Sequence, residues 1–352
     1  MIQINSLKRF LIVAGFLICL SQAPSVRGAA NTLDIYFIDT EGGAATLIVT
    51  PQGESLLVDS GNPGERDASR IARVARDVAR LQQIDHYITT HWHSDHFGGI
   101  ASLAALIPVK SYYDHGFLDP LPSDVDPTLM EAYRRVSQGK SVTLVPGAEL
   151  KFARGKAAAP LSLRVLAAAG AVLGRPAAAS AQIEPCGKDF APKPEDTSDN
   201  ARSIVFVLTY GEFKFFDAGD LTWNVENKLA CPRNLPGAVD VYQVTHHGLD
   251  SSNNPALVGA LRPRVAITNN GPRKGGAAAT HATLRRHVAA ADIYQLHRNV
   301  TTTEQENAPA ANIANEAENC QGEYIKLSVD DKGRTYTVTV PSKKTTRTYK
   351  TR

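Results

Sequence analysis

Thr90-His91-Trp92-His93-Ser94-Asp95-His96-Phe97-Gly98-Gly99 sets three imidazoles and one carboxylate within six residues. Core packing does not select that composition. Neutral imidazole and carboxylate are borderline ligands suited to Zn²⁺, with Mn or Fe as alternatives. The stretch follows an apolar strand pattern over Asp85–Thr90 and opens a helix pattern over Gly98–Ile107. On the loop between them, His91 and His93 can turn the same way and serve one ion. Asp95 and His96 then face a second. Gly98 and Gly99 let the helix start come close to such a site.

Outward from this stretch, strand and helix patterns alternate. Leu33–Asp39 reads as a strand, and Ala45–Thr50 with Ser55–Asp59 as a hairpin. Ile71, Val74, Val78 and Leu81 recur at helical spacing within Arg66–Gln82. Ser203–Thr209 and Phe213–Asp217 form another hairpin pattern over Tyr210-Gly211-Glu212. Helices Leu221–Leu229, Pro255–Leu261 and His281–Ala290 then alternate with strands Val239–Val244, Val265–Thr268 and Ile293–Leu296. Tyr324–Val329 and Thr335–Val340 close the pattern as a hairpin. Hairpins and βα units in both halves predict an α/β chain with two mixed β-sheets face to face and helices on the outer faces, an αββα sandwich. Residues 167–199 break the alternation with Ala, Gly, Pro and charge, and read as a long loop or insertion.

The motif resembles the His-x-His-x-Asp-His signature of the metallo-β-lactamase superfamily, and further stations follow in chain order. Val58-Asp59-Ser60-Gly61 looks like the first, whose Asp orients a metal-ligating His. Phe216-Asp217-Ala218-Gly219-Asp220 looks like the fourth, whose Asp after Gly bridges two metals. Val244-Thr245-His246-His247-Gly248 looks like the fifth. The resemblance implies an αββα metallohydrolase with His91, His93, Asp95, His96, Asp220 and His247 as metal ligands. Two zinc ions are implied. By that alignment His246 lies behind His247, and consecutive side chains at a strand end point to opposite faces. The third station departs: Asp199 or Asn200 stands where the family has His, so the first metal keeps His91, His93 and Asp220 alone. Asn there, with His-His-Gly later, is similar to a subgroup that includes the extracellular domain of DNA-uptake proteins and phosphorylcholine esterases. That likeness implies a phosphoester or phosphodiester substrate. An acyl substrate, β-lactam or lactone, and a non-catalytic module that keeps the fold are the alternatives.

The ends of the chain carry its charge asymmetry. Lys8-Arg9, the apolar run Phe10–Leu20 and a small-residue stretch to Ala30 predict a cleaved export signal over residues 1–30. The hydrolase domain is then expected over residues 31–341, in the periplasm or outside the cell, with no stable membrane anchor. Without Lys8, Arg9 and Arg27 the chain has 35 basic and 35 acidic residues, so a broad nucleic-acid footprint is absent. Residues 342–352 read as a basic C-terminal tail. Cys186, Cys231 and Cys320 allow one disulfide and one free thiol, with the pairing open.

Further candidates flank the motif. Asp95 and Asp220 are expected to hold the metals and the attacking water. His115, after a strand, and His246 are candidate substrate- or proton-handling groups. Asn269-Asn270-Gly271-Pro272-Arg273-Lys274 reads as a plain turn or as a cationic lip for an anionic substrate. His281, His287 and His297 read as structural. No Gly-x-Ser-x-Gly motif supports a side-chain nucleophile.

Overall fold

A computed structural model describes residues 32–153, 159–174 and 190–352. The export-signal segment 1–30, Cys186 and the middle of the 167–199 segment lie outside these. The first six strands are β1 (Leu33–Ile38), β2 (Thr46–Val49), β3 (Ser55–Val58), β4 (Ile84–Ile88), β5 (Val109–Asp114) and β6 (Val142–Thr143). Nine more follow: β7 (Glu149–Lys151), β8 (Leu161–Ala168), β9 (Ala171–Val172), β10 (Val205–Tyr210), β11 (Phe213–Asp217), β12 (Val241–Gln243), β13 (Val265–Thr268), β14 (Ile293–His297) and β15 (Ile313–Asn315). The chain ends in β16 (Tyr324–Val329), β17 (Thr335–Val340) and β18 (Thr345–Lys350). One sheet runs β18-β17-β16-β1-β2-β3-β4-β5-β6, and the other β15-β14-β13-β12-β11-β10-β8-β7 with β9 on β8.

Alternation along the strands builds three layers of contact. Ile35 and Phe37 on β1 face inward to meet Phe206, Leu208, Phe213 and Phe215 of the other sheet. Tyr36 and Ile38 face outward, under α1 (Glu65–Arg73), α2 (Ser94–Phe97), α3 (Ile100–Leu106) and α4 (Pro127–Val136). Phe216 and Tyr242 pack outward beneath α5 (Trp223–Ala230), α6 (Pro255–Leu261) and α7 (Ala278–His287). A period of two on each strand therefore feeds both a central core and an outer one. This is the αββα sandwich expected from the hairpins.

β1, β3, β4 and β5 run the same way, because two antiparallel pairings separate β1 from β3 and the next two are parallel. β11 to β15 are also mutually parallel. The residues after these strands gather at the carboxyl edges of the sheets, where α/β folds place their ligands.

Three expectations are corrected. Residues 342–352 are not a solvated tail: β18 pairs with β17 over six residues, and Tyr349 stacks on Tyr336 at 5.1 Å. The 167–199 segment is partly regular: β8 runs on to Ala168 and turns back as β9. The helix over 66–82 ends early, because Val74–Val78 widens into a π-turn and Arg80 takes a left-handed backbone. Cys231 is disulfide-bonded and Cys320 is a free thiol.

Candidate metal centre

Asp220 sits at the middle of the carboxyl-edge cluster. Its Oδ2 lies 3.2 Å from His96 Nε2, 3.2 Å from His247 Nε2, 3.4 Å from His246 Nε2 and 4.0 Å from His91 Nε2. Asp95 Oδ2 closes one side, 3.4 Å from His96 Nε2 and 3.2 Å from His247 Nε2. Gly219 makes this approach possible. Its φ is +51°, and a Cβ there would fall 2.8 Å from Thr90 Cβ. His246 N donates to Gly219 O at 2.9 Å, tying the two loops together.

Each of the four rings is oriented through its other nitrogen. His96 Nδ1 meets Asp59 Oδ2 at 2.7 Å. His247 Nδ1 meets the carbonyl of Asn269 at 3.3 Å. Thr90 Oγ1 donates to Asp59 Oδ2, so it accepts from His91 Nδ1 at 3.1 Å. Ser252 Oγ donates to Leu221 O, so it accepts from His246 Nδ1 at 3.0 Å. These partners occupy the Nδ1 side of each ring and leave all four Nε2 atoms facing Asp220. Metal-ligating histidines carry this kind of bond on the far nitrogen. His91 Nε2 is buried and makes no hydrogen bond. Asp95, His96, Asp220 and His247 bring one donor atom each within 4.8 Å of one another. The donor set fits a divalent cation.

The electrostatics agree. Burial drives His91 well below its ordinary value, with neighbouring His96 adding to the drop. Burial would lower His96 too, but Asp220, Asp95 and Asp59 hold it well above. Burial opposes ionisation of Asp220, yet His247, His96 and His246 keep it well below the usual carboxylate range. Asp220 and Asp95 are thus held as anions among imidazoles.

The predicted residues do not all converge. His93 turns away, its Nε2 2.9 Å from Asp124 Oδ2. His115 bonds Asp199 Oδ2 at 2.9 Å, and the same oxygen accepts from Trp92 N at 2.7 Å. Asp199 therefore braces the motif loop from behind. His246, placed behind His247 by strand alternation, reaches Asp220 as well. β12 ends at Gln243, and His246 and His247 both adopt left-handed backbone, φ 55° and 53°, so the two-residue period does not apply. Trp92 is fully buried and donates from Nε1 to Gly116 O. Lys274 Nζ lies 2.5 Å from Asp95 Oδ2, which puts the cationic-lip loop at the centre. Asp124 was not foreseen: nothing distinguishes it from the neighbouring Asp126, which caps α4.

Parts of the chain are similar to known proteins. The metallo-β-lactamase superfamily model matches residues 38–165. Two curated fungal proteins match a shorter stretch. The thioesterase pkgB of Emericella nidulans is 34% identical over 73 residues, 21% of this chain and 21% of its own. The atrochrysone carboxyl ACP thioesterase of Aspergillus terreus is 36% identical over 66 residues, 19% of this chain and 20% of its own. The match spans about a fifth of those relatives. Among solved structures, the diiron β-hydroxylase CmlA of Streptomyces venezuelae superposes with TM-score 0.38 and 18% identity, covering 69% of this chain and 45% of its own. Metallo-β-lactamase SMB-1 does so with TM-score 0.38 and 17% identity, covering 61% and 76%. The metallo-β-lactamase superfamily match runs from the end of β1 into β8 and contains the His91–His96 motif, within a two-sheet αββα fold.

Proposed function

We propose that the chain is a metal-dependent hydrolase acting on a phosphoester or phosphodiester. The observation that carries the reading is the convergence of four oriented imidazoles on Asp220. His96, His247 and Asp95 would hold an ion on one side of Asp220, and His91 and His246 would meet one on the other. His246 then supplies the donor that Asp199 and Asn200 do not. Zinc suits this nitrogen–oxygen set, with Mn or Fe as alternatives. A divalent ion held there lowers the pKa of a coordinated water toward neutrality and polarises the bond to be cleaved.

The chain's own groups do the rest. Asp59, Thr90, Ser252 and the Asn269 carbonyl keep the rings aimed. Lys274, 43% exposed at its side chain, places an ammonium beside Asp95 and favours an anionic substrate. Acyl hydrolysis is the second reading, favoured by the short matches to two thioesterases. Export before action, with residues 1–30 removed, belongs to the same proposal. Among the described residues no helix is long and apolar enough to cross a membrane.

A panel of chromogenic phosphomonoesters, phosphodiesters, thioesters, lactones and β-lactams tests the reading on zinc-loaded protein. Phosphoester turnover that chelation abolishes and zinc restores is expected. Metal-dependent turnover confined to the acyl substrates would replace it with the second reading. No turnover of any would remove both.

A further inference from the structure

Outside the Asp220 cluster, a second set of ligand-type side chains meets where the two sheets adjoin. Asp39 follows β1, His297 ends β14, and Cys320 lies on the segment between β15 and β16. We propose that Asp39, His297 and Cys320 form a separate site for a thiophilic divalent cation, Zn²⁺ in the first instance.

Asp39 Oδ2 lies 3.0 Å from His297 Nε2 and 3.3 Å from Cys320 Sγ, and Sγ lies 3.6 Å from Nε2. Tetrahedral zinc with ordinary bond lengths spaces N, O and S ligands about 3.3–3.6 Å apart. The triangle already approximates one face of that tetrahedron. Asp39 and His297 are fully buried, while Cys320 is partly exposed, so an ion has a route in and solvent has access to a fourth position. Two donors come from strand ends in different sheets, so a bound ion would staple the sheets together.

The charges close as well. Arg70 Nη1 lies 3.1 Å from Asp39 Oδ2, and its Nη2 lies 2.8 Å from Glu41 Oε1 and donates to Cys320 O at 3.1 Å. Nη2 is also 3.7 Å from Cys320 Sγ. Arg70 and Glu41 offset one another, and a carboxylate with a thiolate matches a divalent ion. Asp39 is fixed by its other oxygen, which accepts from Glu41 N at 2.9 Å. A thiolate ligand selects zinc or copper(I) over magnesium, calcium or manganese. His297 Nδ1 has no partner, unlike the rings around Asp220. This site is therefore the weaker one, and a chelator should empty it first.

The Asp220 centre contains no sulfur donor, which gives the site its own signature, independent of any activity. The test titrates full-length protein, stripped of metal, with Co²⁺ alone. Wild type should develop thiolate-to-cobalt charge-transfer absorption and bind one more equivalent of cobalt than Cys320→Ser, which should lack the band. Wild type without the band would overturn the site. A band that persists in Cys320→Ser would overturn it equally, since the sulfur would then lie elsewhere. Because a wild type without the band overturns the site by itself, the proposal stays falsifiable however well the variant folds.

Discussion

At Asp220, one carboxylate oxygen faces four imidazole nitrogens, so its loss cannot be compensated by any one neighbour. Asp220→Ala should lose bound metal and turnover more completely than His91→Ala, which removes a single ligand at 4.0 Å. Metal content by mass spectrometry, read beside turnover, checks this; equal losses would deny Asp220 its central place. Asp59 acts at one remove. Its carboxylate holds His96 Nδ1 and both Thr90 N and Thr90 Oγ1. Asp59→Asn keeps the left-handed backbone tolerable but offers one acceptor oxygen fewer. Metal affinity should fall about 10–100-fold while the fold persists. Unchanged affinity by competition with a chromogenic chelator would show that His96 needs no such partner. His246→Ala should lose metal as His247→Ala does, and a fully loaded His246→Ala would return that ring to a supporting role.

Among the elements, the stretch from β4 into α2 was legible because ligand types crowd a strand end, and the hairpins announced two sheets. What escaped was set by contacts distant in sequence. His93 is drawn to Asp124 across 31 positions, and no local pattern encodes that. The His246-His247 turn depends on left-handed backbone that the strand pattern concealed. β18 was hidden by its charge: Lys and Arg are what an edge strand carries, and they also read as a tail. Its Tyr349 is buried, stacked on Tyr336 and bonded to Tyr294 Oη at 2.8 Å. Tyr349→Ala should therefore cost about 3 kcal/mol in urea unfolding, and a negligible change would mean β18 contributes little. Glu226 on α5 braces the turn after His-His-Gly, accepting from Asn253 N and Asn254 N at 2.9 and 2.8 Å. Burial raises its carboxyl to about 7, against those bonds, which pull it down. Such a group adds stability below its unfolded value of 4.5, and the contribution is lost as pH rises through about 7. The stability difference between wild type and Glu226→Gln should accordingly shrink between about pH 4 and about pH 8. A difference that grows would show the carboxyl to be ionised throughout.

For the whole molecule, two sheets deliver their strand ends to one edge, and that convergence brings His96 to His247 across 151 positions. The charge and apolar pattern of residues 1–30 is what supports the proposed export signal. The exported protein should begin near Asn31 on N-terminal sequencing, and a mature chain starting at Met1 would refute the proposed export signal. The central claim, that the Asp220 cluster is a metal centre, is tested most directly by anomalous diffraction at the zinc edge from crystals grown with Zn²⁺. An anomalous peak bounded by Asp95, His96, Asp220 and His247 is expected. Well-ordered crystals in which those four side chains surround no anomalous scatterer, with zinc in excess, would contradict it.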